Sequence, residues 1–419
     1  MQANSTLQTV PLSSKQGVPT QTQPKQLQKA ESGTWCLTNF VKGVSDEKLI
    51  AAERGMLAYT GLPEEEFEFS DVIIDEQGNY VRTIQVGHKQ PSPTGVAKPK
   101  VVIIHGYGAS GLFFYRVMKH LVDAGLHLIF IDIIGMGASG RPEFNEEMSV
   151  TEADQFFVDF LEKWRIAFGD LTGFYLAGHS FGGYISGQYA LQYHQHIKKL
   201  LLLSPAGVMK KPDDFDASRL RRRGMLFKLV TRAWEKKWSP FGLMRKSGSW
   251  IGRSLIKSYL NRRMNIAIVN EEERNLLLDY MQQIFMREGS TEYAIFICFQ
   301  LGLYAHHPLE DPTRLGNEDF PIPITFYYGD RDWMDYRAGQ RVVERSKFYN
   351  KDAPETGLSQ VFIIPDSDHH LYMDNPRGFA ELLIFDVQLS EKGLTVSGDD
   401  TQRGAGSLVN EAQRDAAVI

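Results

Sequence analysis

Six short apolar runs, each closed by a turn and most of them separated by helical stretches, constrain this chain more than any other feature of its 419 residues. Lys100–His105 (KVVIIH) ends in Gly106-Tyr107-Gly108, and Leu126–Asp132 (LHLIFID) runs into Ile133-Ile134-Gly135-Met136-Gly137. Gly173–Ala177 (GFYLA) leads to Gly178-His179-Ser180-Phe181-Gly182-Gly183, and Lys199–Leu203, Ile324–Tyr328 and Gln360–Ile364 complete the set. A strand with one wet face alternates apolar and polar residues; these runs do not, so both of their faces must be covered. A mostly parallel central sheet with helices on both faces meets that demand. A weaker pair, Glu66–Ile74 and Tyr80–Val86, joined by Asp75-Glu76-Gln77-Gly78-Asn79, reads as an antiparallel hairpin at the sheet edge.

Between Val208 and about Phe320 this rhythm stops. The stretch has helical periodicity and no convincing strand, and from Met209 to Asn265 it holds sixteen Lys or Arg against four acids, in a chain of net charge −5. It reads as a basic helical cap, 209–320, inserted into a core formed by 34–208 and 321–389. The ends, 1–33 and 390–419, are too polar to bury the apolar area that ordering requires, and read as flexible tails. With 42% hydrophobic and 23% charged residues, collagen, coiled coil and wholesale disorder are excluded. The acidic balance argues against nucleic acid as a partner. Cys36 and Cys298 supply no disulfide framework and point to a reducing compartment. No run approaches the ~18 apolar residues of a membrane span. Residues 1–32 are too polar for a signal peptide and contain no Arg, which weakens a mitochondrial leader. The expected location is cytoplasmic and peripheral to a membrane, with mitochondrial association left open.

The chemistry concentrates at Gly178-His179-Ser180-Phe181-Gly182. A G-x-S-x-G match by itself is modest, but here an apolar strand precedes it and a helix follows, as a nucleophile elbow requires. The alternative is a Gly-rich turn whose serine merely caps the helix. A nucleophilic hydroxyl needs a base, and the base an orienting carboxylate. Two later loops offer them, both just past strand C-termini, where such sheets build their sites. Gly329-Asp330-Arg331-Asp332-Trp333 supplies Asp332 as the acid, with Asp330 second; Pro365-Asp366-Ser367-Asp368-His369-His370 supplies His369 as the base, with His370 the alternative. An oxyanion would be held by the backbone N–H of Phe181 and by that of Tyr107 after the first central strand. His105 reads as structural. This mechanism needs no cofactor and no metal.

From Trp35 to about Leu389 the sequence resembles the α/β-hydrolase branch that contains abhydrolase domain proteins 4 and 5 and the cardiolipin-specific deacylase. The resemblance rests on Asp132 to Pro142 (DIIGMGASGRP), Glu162-Lys163-Trp164-Arg165, the elbow Gly178 to Gly183, Leu203-Ser204-Pro205-Ala206-Gly207, Ser239-Pro240-Phe241-Gly242 and His369 to Asp374 (HHLYMD). It implies an α/β-hydrolase fold and acyl chemistry on a phospholipid or lysophospholipid. It also implies that Trp35, ahead of a helix Glu47–Leu57, lies in a membrane-contact segment. One member of the branch, a lipase coactivator, has asparagine at the elbow; Ser180 and Asp332 mark this chain as a catalytically intact relative. Asp368 departs from the glycine usual before the histidine. The spacing His369 to Asp374 matches an H-x4-D element often read as an acyltransferase signature; against that, Asp374-Asn375-Pro376 reads as a helix N-cap followed by Pro.

The leading expectation is therefore a serine lipid hydrolase acting on a glycerophospholipid or its lyso or N-acyl form. Lysophospholipid acyl transfer and a non-catalytic lipid-surface scaffold are the alternatives. The charge of the cap, interspersed with Trp234, Trp238, Phe241, Met244 and Trp250, predicts contact with an anionic membrane or lipid-droplet surface, with Trp35 and Phe40 as a second contact. The competing reading pairs the cap with the acidic remainder of the chain.

Overall fold

The computed structural model describes residues 43–395 apart from 91–94, 96, 217–224, 264–267 and 269. The tail 1–33, Trp35, Cys36, Phe40 and Arg221, Arg222 and Arg223 lie outside the described residues. The hairpin forms β1 (Glu68–Ile73) and β2 (Tyr80–Val86). The six apolar runs form β3 (Lys100–Ile104), β4 (His127–Ile131), β5 (Phe174–His179), β6 (Ile197–Leu203), β7 (Ile324–Gly329) and β8 (Gln360–Ile364). All eight pair in one sheet, ordered β1-β2-β4-β3-β5-β6-β7-β8. Strand β2 is antiparallel to both its neighbours, and every other pairing is parallel.

Side chains along each central strand divide strictly between two cores, because successive residues point to opposite faces. Val101, Ile103, Leu128, Phe130, Tyr175, Ala177, Leu201 and Leu203 fill one. Val102, Ile104, Ile129, Ile131, Leu176, Leu200 and Leu202 fill the other. The first face carries α1 (Asp46–Leu57) and α2 (Tyr115–Asp123); the second carries α3 (Val150–Ala167) and α4 (Phe181–Tyr193). Helix α3 begins at a capping box, in which Ser149 and Glu152 each satisfy the other's backbone N–H. Its Trp164, fully buried, donates from Nε1 to Thr83 Oγ1 at 3.0 Å and ties the helix to β2.

Between β6 and β7, which are hydrogen-bonded neighbours, the chain makes the long excursion expected of a cap. It contains α5 (Met225–Glu235), α6 (Pro240–Lys246), α7 (Gly248–Arg263), α8 (Glu271–Phe285) and the single turn α9 (Ile295–Cys298). Its two halves differ. Helix α8 buries Leu277, Leu278, Met281 and Ile284 in the same core as α1, α2 and the sheet, and its Tyr280 donates to Ser110 Oγ at 2.9 Å. The second half of 209–320 is thus part of the body; α5 to α7 lie nearer the surface, with α7 still burying Ile256 and Leu260 in the first core. Helix α1, placed in the core by sequence, packs along α8: Ser45 N–H donates to Gln283 Oε1 at 3.1 Å, and a Cβ on Gly55 would meet Leu276.

After β7 come α10 (Tyr336–Arg345), then β8, the single turn α11 (Leu371–Asp374) and α12 (Pro376–Thr395). Helix α12 corrects the boundary at 389, since it runs six residues past it. Ser390 is buried, and Glu391 accepts from Tyr175 Oη at 2.7 Å and pairs with Lys198 at 2.6 Å. Polar composition marked 390–395 as tail, but Glu391 binds polar groups near the N-terminal ends of the central strands β5 and β6. One turn earlier, the fully buried Asp386 takes Lys199 Nζ at 2.5 Å and Tyr327 Oη at 2.7 Å, joining α12 to β6 and β7. Removing one partner strands a charge where water cannot reach it. Asp386→Ala is therefore expected to cost ~3–5 kcal/mol in urea unfolding, while the double change Lys199→Met with Asp386→Leu recovers most of the loss.

Candidate active site

Strand β5 passes into α4 through Ser180, whose backbone sits at φ +53°, ψ −115°, a conformation L-residues rarely adopt. Three glycines make the turn sterically feasible. A Cβ at Gly178 would stand 2.4 Å from the Gly182 carbonyl oxygen, one at Gly182 2.3 Å from the His105 carbonyl oxygen, and one at Gly183 2.8 Å from Pro205. The serine is half-buried and lifted above the C-terminal ends of β3 and β5. Strand order reverses about β3, whose successors β4 and β5 lie on its two sides, so this is the switch point of the sheet.

Here the structure brings together three of the predicted residues. His369 Nε2 lies 3.0 Å from Ser180 Oγ, and His369 Nδ1 lies 3.1 Å from Asp332 Oδ1. The imidazole is buried, as is the Asp332 carboxylate, which also accepts the Met334 N–H at 3.1 Å. Burial pushes that carboxyl up, but the hydrogen bond and charge of His369 outweigh it and leave its pKa below the usual range. Neither alternative joins this relay. Asp330 turns away to accept the Ser367 N–H at 3.0 Å, and the His370 ring packs 5.5 Å from that of His179. The indole of Trp333, half-exposed, covers His369 with ring centroids 5.1 Å apart.

The loop after β3 lies directly against the elbow, since a Cβ on Gly106 would meet the ring of His179 at 2.8 Å and Ser180 Cβ at 3.0 Å. Among the described residues the N–H groups of Tyr107 and Phe181 donate to no acceptor. His105 is indeed occupied structurally. Its Nε2 accepts the Ile133 N–H at 2.9 Å and its Nδ1 donates to the Gly106 carbonyl at 2.7 Å, while burial pushes its pKa down to about 4. Helix α6 closes over this loop: the Phe241 ring sits 5.3 Å from that of Tyr107, and its Cζ would stand 2.2 Å from a Cβ on Gly108. No group of three or more His, Cys, Asp or Glu among the described residues could hold a metal ion.

Two features escaped sequence reasoning. His179, the residue before Ser180, donates from Nε2 to the His369 carbonyl at 3.0 Å. Burial drives its pKa well below the usual histidine value, so it stays neutral. It straps the backbone of His369 to the elbow, and no sequence signal beyond its adjacency to Ser180 marks it. Asp374 is not the N-cap expected of it. Asn375 caps α12, accepting the Gly378 N–H at 2.9 Å, whereas Asp374 accepts the Asp368 N–H at 3.0 Å from one turn of α11 away. The H-x4-D element is thus a clamp on the loop that carries His369. The cap moved by one residue because the single turn α11 occupies the preceding four.

A family profile described as alpha/beta hydrolase fold matches residues 99–376. A probable 1-acylglycerol-3-phosphate O-acyltransferase of Oryza sativa subsp. japonica is 31% identical, over 80% of this chain and 80% of its own length. The (lyso)-N-acylphosphatidylethanolamine lipase of Mus musculus is 27% identical, over 72% of this chain and 81% of its own. Among solved structures, a bacterial membrane phospholipase A superposes with a TM-score of 0.53 at 18% identity, covering 86% of this chain and 95% of that one; at such identity it speaks for the fold alone.

Asp374 and Asn375 can be told apart by substitution. Asp374→Asn retains an acceptor for the Asp368 amide and should leave kcat on a soluble short-chain ester within a few-fold of wild type. Asp374→Ala releases the loop and is expected to lower kcat by about 10- to 100-fold, the scale of a small misplacement of the base. Asn375→Ala should instead appear mainly in thermal unfolding, as a loss of ~1 kcal/mol.

Proposed function

The chain belongs to the α/β-hydrolase fold family, in the branch of abhydrolase domain proteins 4 and 5, and from that membership we infer that it is a serine acyl hydrolase of glycerophospholipids or lysophospholipids. The observation that carries this reading is the continuous relay of Ser180 Oγ, His369 and Asp332, with contacts of 3.0 and 3.1 Å. In it, Ser180 Oγ attacks the carbonyl carbon of an acyl ester, or of an N-acyl group, as its proton passes to His369 Nε2. Asp332 holds the ring in the orientation that receives this proton and stabilises the cation that forms. The oxyanion is met by the free N–H groups of Phe181 and Tyr107. Collapse of the intermediate passes the proton from His369 to the departing oxygen or nitrogen, which frees the deacylated lipid and leaves the acyl group on Ser180. A second nucleophile, deprotonated by the same histidine, then releases it.

Water as that nucleophile gives hydrolysis; the hydroxyl of a lysophospholipid gives acyl transfer. Both fit one acyl-enzyme, and the relatives named as lipase and as acyltransferases support lipid hydrolase or acyltransferase chemistry. Hydrolysis is the main reading because Asp374 is engaged with the loop backbone, which leaves His369 as the base for either acceptor. A purely non-catalytic scaffold would have no use for the relay. The substrate would be drawn from a membrane or lipid-droplet surface; among the described residues no helix is long and apolar enough to cross a membrane.

The test is labelling by a fluorophosphonate probe, followed by turnover on a mixed phospholipid panel. Labelling is expected in wild type and absent in Ser180→Ala. Turnover should fall on the order of 10⁶-fold for Ser180→Ala or His369→Ala, and little further for the double variant, because these residues act as a unit. Asp332→Asn should cost roughly 10⁴-fold. An unlabelled but folded wild type would end the serine mechanism. Adding a lysolipid acceptor separates the two fates, since transfer yields a new diacyl product.

A further inference from the structure

The outer face of α5 to α7 is not explained by anything at the catalytic relay. From Met225 to Arg263 there are ten Lys or Arg and one acid, Glu235. Lys228, Arg232, Lys236, Lys246 and Lys257 are exposed and have no carboxylate partner among the described residues, so pairing with the acidic remainder of the chain does not account for them. Large apolar side chains stand between them: Trp250 is 84% exposed, Leu243 67% and Trp238 63%. Helical geometry gathers them within each helix. Helix α7 buries Gly252, Ile256 and Leu260 at four-residue intervals, which turns Trp250, Ile251 and Leu255 outward with Lys257. Helix α5 exposes Met225, Lys228, Leu229 and Arg232, again on one stripe.

We propose that this face docks on an anionic bilayer, with Trp238, Leu243 and Trp250 entering the headgroup region and the lysines and arginine that lack a carboxylate partner meeting acidic headgroups. Aromatic and aliphatic tips among basic residues are the composition of an interfacial surface. A second copy of the chain is disfavoured as the occupant, because a two-fold contact would set like charges against each other. Helix α6 gives the docking a consequence for catalysis. Its Leu243 points outward, and two residues earlier Phe241 rests on Gly108 and Tyr107 of the loop beside Ser180. Helix α6 thus spans from the docking face at Leu243 to the loop beside Ser180 at Phe241, so a lipid engaged at this helix is delivered next to that loop.

The activity arm of the test rests on the acyl-hydrolase reading; the binding arm does not, and uses Ser180→Ala. In sedimentation with liposomes at low salt, that protein should bind vesicles of phosphatidylcholine with phosphatidylserine and leave pure phosphatidylcholine largely unbound, with binding falling as salt rises. Changing Lys236, Lys246 and Lys257 together to Gln should weaken binding about a hundredfold, near five-fold per charge. Leu243→Ser with Trp250→Ser should weaken it at all salt concentrations. With Ser180 restored, both sets should lose activity on anionic vesicles and keep it on a soluble short-chain ester. Equal binding to neutral and anionic vesicles, or unchanged binding by both sets, overturns the proposal. So does a shift from dimer to monomer in sedimentation velocity on changing Leu243 and Trp250, which would make the face a protein interface.

Discussion

Ser180 is held in a backbone conformation that its side chain disfavours, and the rest of the site depends on keeping it there. A positive φ at a non-glycine residue costs on the order of 1–3 kcal/mol and persists only where the surroundings over-determine it. They do so by proximity. Gly178, Gly182 and Gly183 let β5, α4, the His105 carbonyl and Pro205 approach within distances that any Cβ would block. The Ser180 N–H donates to the Leu203 carbonyl at 3.0 Å and its own carbonyl accepts from Tyr184 and Ala206, so the turn is bonded to β6 as well as to its helix. The buried runs of β3, β5 and β6 supply the rigidity against which this strain is maintained.

Around that fixed point, carboxylates serve as clamps more often than as reactants. Asp132 accepts the Gly111 and Ala138 N–H groups at 2.6 and 2.7 Å, and burial still raises its pKa to about 6. Asp330 accepts Ser367 N–H, Asp368 accepts His369 N–H at 2.9 Å, and Asp374 accepts Asp368 N–H. The loops that converge on Ser180 are therefore tied by side chains to backbone amides that no strand or helix can satisfy. Asp332 accepts the Met334 N–H in the same way, and its oxygen also faces the imidazole. The His179 strap belongs to the same logic, with a neutral imidazole as donor in place of a carboxylate as acceptor.

The excursion between β6 and β7 divides by chemistry. Its apolar second half closes the sheet's first face through α8, and Arg245 of α6 reaches a buried ion pair with Glu292, which anchors α6 from beneath. Its basic first half reaches the first core only by its inner side, through Ile256 and Leu260 of α7 with Phe241 and Met244 of α6 packed against it. That division explains how a segment of high like charge is retained: the self-repulsion falls on helices whose inner sides are pinned, and the charge itself is left facing outward.

The sheet, its hairpin edge and the place of the excursion were legible in the sequence because they depend on local pattern. An unbroken β-branched run such as Val101 to Ile104, too short for a helix and closed by glycines, reads as a strand covered on both sides, and a strand–Gly-x-Ser-x-Gly–helix passage admits few backbones. Ser180, His369 and Asp332 could be named for the same reason, as residues just past strand ends. What local pattern could not decide was which of two adjacent groups faces which. Asp332 or Asp330, His369 or His370, Asp374 or Asn375 as cap: each pair differs by one or two positions in a loop, where no periodicity assigns a direction. The clamps on those loops join residues distant in the chain, from Asp330 to Ser367 and from His179 to His369. Helix α12 outran the predicted end of the core for a related reason, since Glu391 is polar in composition but finds Tyr175 and Lys198 in the folded chain. Local periodicity determined the elements and the strand-end loops on which Ser180, Asp332 and His369 stand; orientation within the loops was decided by contacts that exist only once the sheet has brought its strand ends together.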